Sequence, residues 1–344
     1  MNENKIKSKI AFCGDFTQNN GPANVNKELV KHLNVRIIDT KQHNKIFIFL
    51  KFLISIFFCR IYIFSSNYRV NYTLFLIATI LNKKTIYLMH GSPQLDSTVN
   101  KIDHLDRAKR MEKIILDRCS LVLTVSEKYM NLLHKQFPNY KSKIYFLTNG
   151  ISVDFSYIKK NINKNCRSIA VGGGNRFIKC NKIVSDAINE LNKGETIKYN
   201  LNIYGLMYTN GEKILENDNV KIIGRIPQNE LFEELSKTKL FVLNSMYESF
   251  GLSVIDALKC GCNILVSKNA GINDVLKLEE NDIINDFNDI DELKQKIKYN
   301  MAHDNNKRIL DSIDFKHYNW ESVAQRLIKI ICCLENGESY KNIR

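Results

Sequence analysis

The densest grouping of residues able to do chemistry lies in Phe241–Ser267, FVLNSMYESFGLSVIDALKCGCNILVS. An apolar strand ends near Leu243, a loop carries Glu248, and Phe250-Gly251-Leu252 opens a helix. The first N–H groups of a helix lack intrahelical acceptors, and the helix dipole adds to their pull on anions. A glycine there lets a ligand approach the backbone, so a diphosphate fits. Glu248, just before that start, can accept hydrogen bonds from sugar hydroxyls. Asp256, about one turn inside, can accept them from a ribose diol. A second candidate is SIAVGGGNRFIKCNKIV, where Gly172-Gly173-Gly174 frees the backbone for close approach, as in anion nests. Its spacing is not G-x-G-x-x-G, so the dinucleotide fingerprint does not apply.

Glu248, Phe250, Gly251, Asp256, Ala257 and Gly261 together resemble the E-x-F-G-x-x-x-x-E, A-x-x-x-G region of glycosyltransferase family 4, the retaining, sugar-nucleotide-dependent enzymes of GT-B fold. The second acidic position is Asp where Glu is usual, one methylene shorter. Other landmarks follow in family order over most of the chain. GDFTQNNGPANVNKEL resembles the glycine-rich loop that approaches the donor phosphates, with Asn20-Gly21 standing for the usual pair of glycines. Leu88-Met89-His90-Gly91 resembles the strand-end HG whose histidine reaches the donor sugar. Val125-Ser126 and Thr148-Asn149-Gly150-Ile151 resemble two further landmarks of the family, the second of which precedes the linker and is architectural. In the "GR…KG" landmark that binds the diphosphate, Lys179 takes the Lys position, Gly174 the Arg position and Cys180 the Gly position. Arg176 then supplies a guanidinium from two residues further on. Arg225, in Ile223–Pro227, sits where loops border the nucleotide base.

The resemblance implies sugar transfer from a nucleotide-diphosphate sugar to an acceptor hydroxyl with retained anomeric configuration. Glu248, His90, Lys179 and Arg176 are the candidate catalytic residues. Gly21, Gly173, Gly174, Phe250, Gly251, Leu252, Asp256 and Arg225 are the candidate donor contacts. No dedicated base is obvious, which fits a front-face mechanism in which the leaving diphosphate helps deprotonate the acceptor. No cofactor beyond the donor and no metal is expected, because no DxD-like acidic cluster sits at a strand end. The expected acceptor is a lipid-linked glycan in bacterial surface-polysaccharide assembly.

Positioning these residues takes alternating strands and helices. In the first half, strands are expected at Lys9–Cys13, Val35–Ile38, Ile61–Ser65, Thr85–Met89, Leu121–Val125 and Ile144–Leu147, separated by helix-length segments. A second series follows: strands at Ser168–Val171, Asn200–Tyr204, Val220–Ile223, Leu240–Leu243 and Asn263–Val266, with helices at Lys182–Asn192, Gln228–Lys237 and Ser253–Lys259. Alternation of this kind gives right-handed βαβ units and parallel sheets. The expected class is α/β, with two doubly wound Rossmann-like domains facing a cleft. An acceptor domain covers 1–155 and a donor domain 165–319, joined by a polar linker over 152–166. Ligands of such sheets bind beyond the carboxyl ends of the strands. An amphipathic helix, Trp320–Leu334, is expected to return to the first domain.

Charge is uneven. Of 50 Lys+Arg and 36 Asp+Glu in 344 residues, residues 1–150 hold 23 and 10, a net of +13, and residues 151–344 hold 27 and 26, a net of +1. The basic half suits an anionic partner, either a phosphorylated substrate or an anionic membrane surface. The alternative is a Lys-rich coding bias, in keeping with the many Asn, Ile and Lys residues, although such a bias alone would charge both halves alike. Nucleic-acid binding is the weaker alternative, since the charge is not interleaved with stacking aromatics. A GT-B nucleotide-sugar epimerase is the other alternative. KIDHLDRAKRMEK places Arg107 with Arg110, and Lys109 with Lys113, on shared helix faces. They either meet anionic groups or are solvated beside Asp103, Asp106 and Glu112. Lys45–Ser65, KIFIFLKFLISIFFCRIYIFS, reads as a helix over 43–57 and a buried strand. Lys51 and Arg60 oppose a membrane span. The helix either lies in a membrane interface or is buried in the core. Nine cysteines without CxxC pairs, and a start without a leader-like apolar stretch, suggest a reducing, cytoplasmic setting at the inner face of the membrane.

Overall fold

The computed structural model describes residues 6–66, 68–101, 105–152 and 165–343. It divides into two compact units, one of residues 1–95, 104–152 and 314–344, the other of 96–103 and 153–313.

The first unit is built on β1 (Ile10–Gly14), β2 (Arg36–Asp39), β3 (Ile61–Ser65), β4 (Lys84–Met89), β5 (Leu121–Thr124) and β6 (Ile144–Phe146). They form one parallel sheet in the order β2-β1-β3-β4-β5-β6. Strands such as IAFCG and IYIFS are buried along their whole length, as parallel strands covered on both faces must be. Sequence order along the sheet reverses between β1 and β3, so the loops after these two strands flank the opening at the sheet's carboxyl edge.

The helix Lys45–Phe58 is capped by Asn44, whose side chain accepts from the Phe47 N–H. It buries Ile48, Phe52 and Ser55, with Ser55 Oγ 2.8 Å from the Tyr62 hydroxyl, and turns its other side to the surface. Of the two alternatives for this segment, the helix buried in the core is therefore set aside. The helix Trp320–Asn336 packs on the helix Gly21–Leu33 and buries Val323, Ala324, Leu327 and Ile331, among others. Trp320 lies across Gly150, where an added Cβ would come within 2.4 Å of the indole. The Ile151 N–H donates to the Tyr318 carbonyl at 2.7 Å.

The second unit contains β7 (Asn165–Val171), β8 (Asn200–Tyr204), β9 (Val220–Gly224), β10 (Thr238–Leu243), β11 (Asn263–Ser267) and β12 (Ile283–Ile284), again parallel, in the order β12-β11-β10-β7-β8-β9. Its core combines Ile169, Val171, Leu201, Ile203, Leu240 and Val242 with the inner faces of the helices Asn181–Leu191 and Ile290–Ala302. The order reverses between β7 and β10, which places the loops carrying Lys179 and Glu248 side by side. Most of the polar linker, 153–164, lies outside the described residues.

Candidate functional site

In the second unit, β7 runs directly into the three glycines. Gly173 and Gly174 have φ of +92° and +63°, a region that favours glycine. Gly174 is further fixed by packing: its N–H donates to the Tyr204 carbonyl at 2.9 Å, and an added Cβ would sit 1.9 Å from the Leu206 carbonyl oxygen. Asn181, buried at the start of the next helix, donates to the carbonyls of Gly172 (3.1 Å) and Gly174 (2.6 Å) and holds the loop. Asn175 ties it to the segment after β8 through hydrogen bonds with both the N–H and the carbonyl of Tyr208.

The loop then makes one 3-10 turn, Phe177–Lys179, and leaves it through Cys180, whose φ is +48°. A left-handed residue there accounts for the glycine expected at this position from the family pattern. Lys179 lays its aliphatic stem over Gly173 and ion-pairs through Nζ with Glu248 Oε2. These side chains are 11% and 18% exposed, so the pair is largely screened from water by protein. Arg176 folds back on its own loop, with Nε donating to the Gly173 carbonyl at 3.4 Å.

Glu248 is held by backbone pairing. The Gly271 N–H donates to its carbonyl at 2.9 Å, and the Met246 N–H donates to that of Ile178 at 2.9 Å. The following helix is Leu252–Lys259. Gly251 precedes it with φ +108°, and no side chain caps it, which leaves the first helical N–H groups to other acceptors. Phe250 is buried, and its carbonyl accepts from the Ile272 N–H at 2.6 Å. Burial pushes the Asp256 carboxyl up to about 6, partly offset by Lys259. Arg225 is exposed just beyond the edge strand β9, whose Gly224 carbonyl accepts from the Gly205 N–H at 2.8 Å.

The structure adds a residue that the sequence did not point to. Asp96 belongs to the second unit, and the Tyr247 hydroxyl donates to its Oδ1 at 2.7 Å. Burial raises its pKa. The Tyr247 hydrogen bond opposes that rise, as do the neighbouring charges of Arg176 and Lys179, while Glu248 adds to it. Asn100 accepts from the Ile178 N–H at 3.3 Å, and the Lys101 ammonium lies 4.6 Å from the centre of the Phe177 ring. Asp96 and Tyr247 are 151 residues apart, and no local spacing announces the pair.

The other candidates lie in the first unit. His90 follows β4, and its Nε2 is 2.9 Å from the Ser65 hydroxyl at the end of β3. Burial lowers its pKa to about 4, so the ring is neutral at pH 7. Gly21 opens its helix with open space around it, since an added Cβ would meet nothing within 4 Å. The start of that helix is already served by protein: Asn20 Oδ1 accepts from the Ala23 N–H at 2.9 Å. Asp15, buried in the same loop, accepts from the N–H groups of Thr17 and Gln18, both at 3.0 Å.

On the helix Leu105–Arg118, Arg107, Lys109, Arg110 and Lys113 are exposed, and Lys113 pairs with Asp117 at 2.8 Å. Glu112 is not their partner. It is buried and accepts from Ser92 Oγ (2.9 Å) and the Gln94 N–H (3.0 Å). Asp103, the other expected acidic neighbour, lies outside the described residues. Among the described residues, no group of three or more His, Cys, Asp or Glu is placed to hold a metal ion.

Residues 179–312 match the family described as glycosyl transferases group 1, a stretch that begins at Lys179 and includes Glu248 and Asp256. The chain is 26% identical over 138 residues to the phosphatidylinositol N-acetylglucosaminyltransferase gpi3 subunit of Schizosaccharomyces pombe, covering 37% of this chain and 28% of that protein. It is 24% identical over 112 residues to the O-antigen chain mannosyltransferase B of Escherichia coli, covering 32% and 29%. The matched stretch thus spans under a third of each relative's length. In three dimensions the chain is similar to Anabaena Alr3699/HepE, solved in complex with UDP and glucose. The TM-score is 0.66 at 13% identity, over 94% of this chain and 99% of that one. The chain has the two-domain α/β GT-B fold, and residues 179–312 match a domain of sugar-transferring enzymes.

Proposed function

We propose that this protein transfers a sugar from a nucleotide-diphosphate sugar to an acceptor hydroxyl, with retention at the anomeric carbon. The observation that carries this reading is the Lys179–Glu248 pair at the switch point of the second sheet, between a glycine loop and an uncapped helix start. A diphosphate arriving there offers Lys179 a doubly charged partner in place of one carboxylate. It also accepts from the N–H groups at Leu252 and Ser253 and draws Arg176 off the Gly173 carbonyl. Glu248, released from Lys179, then accepts hydrogen bonds from the sugar.

In the transfer step the bond between the anomeric carbon and the diphosphate oxygen breaks. The acceptor oxygen bonds to the same face of that carbon, and the acceptor proton passes to the departing diphosphate. Lys179, Arg176 and the helix start stabilise the charge that builds on the diphosphate. Asp256 accepts from the ribose diol. The first unit meets the acceptor, with neutral His90 as its candidate sugar contact. A retaining mechanism, a lipid-linked glycan acceptor, surface-polysaccharide assembly at the inner membrane face and a reaction without a metal complete the reading. The mannosyltransferase name of one relative and the UDP in the HepE structure support it.

Thermal shifts of the purified protein with UDP, GDP, ADP and CMP test the reading. A rise with one nucleoside diphosphate that disappears in Lys179→Ala is expected. No rise with any of the four at millimolar ligand would overturn the donor-site assignment.

A further inference from the structure

The helix Lys45–Phe58 has a surface unlike that of a water-facing helix. Ile46, Phe47, Phe49, Leu50, Leu53, Ile54, Phe57 and Phe58 are all exposed, with Phe57 at 86% and Ile46 at 74%. At 100° per residue these eight side chains fill a half-turn arc without one polar residue among them. Lys51 stands at the margin of that arc, with its ammonium 4.5 Å from the centre of the Phe47 ring. The neighbouring helix Arg69–Ile80 ends in exposed Ile80 and Leu81, and Ile37 on β2 is exposed as well. A contiguous apolar surface of this kind marks an interaction site on a folded protein.

The charges around it identify the partner. From Thr40 to Leu95 the sequence contains Lys41, Lys45, Lys51, Arg60, Arg69, Lys83 and Lys84 and no Asp or Glu. Arg36 places its guanidinium 4.8 Å from the centre of the Phe58 ring. Asp39, the acidic residue closest in sequence, is buried and bound to the Lys41 N–H. Lys84 pairs with Glu335 at 3.2 Å. Aromatic and aliphatic side chains in the middle, with the long cationic side chains of Arg36, Lys45, Lys51 and Arg60 around them, complement a layer that is apolar inside and anionic at its face. The helix has 14 residues, about 21 Å at 1.5 Å per residue, short of a hydrocarbon core of about 30 Å. Among the described residues no helix is long and apolar enough to cross a membrane.

We infer that the outer face of Lys45–Phe58 lies flat in the interface of an anionic phospholipid bilayer, its apolar arc among the acyl chains and Lys45, Lys51 and Arg60 at the headgroups. The surface belongs to the first unit, and its role does not depend on the donor assignment.

Co-sedimentation of the full chain with phosphatidylcholine vesicles, with and without phosphatidylglycerol, tests this. Binding is expected to the anionic vesicles, to fall steeply with added salt, and to drop about tenfold or more in Leu50→Glu/Phe57→Glu. Both positions are exposed, so an unchanged unfolding midpoint and an unchanged far-ultraviolet circular dichroism spectrum show that the variant is folded. Lys51→Gln/Arg60→Gln should keep the apolar arc but lose most of the preference for phosphatidylglycerol. Equal binding by wild type and Leu50→Glu/Phe57→Glu would overturn the inference. So would a stable wild-type dimer in sedimentation that the glutamates disperse, because the face would then be covered by a second copy of the chain.

Discussion

The two sheets each send their first strand into a glycine-containing loop and then a helix, and the two loops end up different. After β1, Asp15 takes the N–H groups of Thr17 and Gln18, and Asn20 takes that of Ala23, so the loop spends its donors on itself. After β7, Asn181 holds the carbonyls of Gly172 and Gly174 and Arg176 that of Gly173, while the Ile178 N–H goes to Asn100. The helix after Gly251, beside that loop, has no side-chain cap. Glycine content alone does not make an anion site. What matters is whether neighbouring side chains have already used the N–H groups, and whether cations stand beside them.

The largest expected effect separates the two loops by function. Lys179→Ala should cut sugar transfer by about 10²–10³, as loss of a group stabilising a developing anion does. Gly21→Ala should change it by less than about twofold. A comparison of steady-state rates checks both, and equal losses would erase the distinction. Next is stability. Gly174→Ala forces a Cβ against the Leu206 carbonyl at positive φ and should cost about 3 kcal/mol in urea unfolding. Gly21→Ala, with open space around it, should stay within about 0.5 kcal/mol of wild type. Asn20→Ala, which removes a helix cap, should lose about 1 kcal/mol by the same measurement.

The smallest effect concerns pH. Burial pushes the Asp256 carboxyl up to about 6, so it is an ionised, strong acceptor above that pH and a weaker, neutral one as pH falls through it. UDP-glucose, whose phosphates stay ionised in this range, should bind about threefold more weakly at pH 5 than at pH 7.5. Asp256→Asn should remove the dependence. His90 carries the opposite kind of group. Its pKa is lowered to about 4, so the unfolded chain binds the proton more readily than the folded one. Its contribution to stability is therefore lost as pH falls from about 6.5 to about 4 and is fully present above that range.

Strongly apolar strands such as Ile61–Ser65 and Phe241–Leu243 were legible in the sequence because parallel strands buried on both faces need continuous apolar runs. The end of the second unit was not. Ile290–Ala302 hides its inward positions among charges: Leu293 and Ile297 are buried, but so is Lys296, which pairs with Glu292 at 2.6 Å. The two-residue β12 is too short to show a period, and Asn263, Asn300 and Asn305 fill the space beside β11 with a hydrogen-bonded amide network that reads as loop. In the site, Lys179 and Glu248 stand 69 residues apart, and only the family pattern pairs them in advance. Asp96 had no such pattern, and its place beside Tyr247 comes from a segment that packs with the second unit although it follows β4 of the first. Apolar composition flagged Lys45–Phe58 but could not choose between core and surface, because both faces of the helix are hydrophobic.

The central claim is that a diphosphate displaces Glu248 as the partner of Lys179. Calorimetric titration of UDP into wild type, Lys179→Ala and Glu248→Gln at neutral pH tests it most directly. The account predicts that Lys179→Ala weakens UDP about tenfold or more, whereas Glu248→Gln, which removes the competing carboxylate but leaves the cation, binds UDP at least as tightly as wild type. UDP binding that is unchanged in Lys179→Ala, or lost in Glu248→Gln, would contradict it.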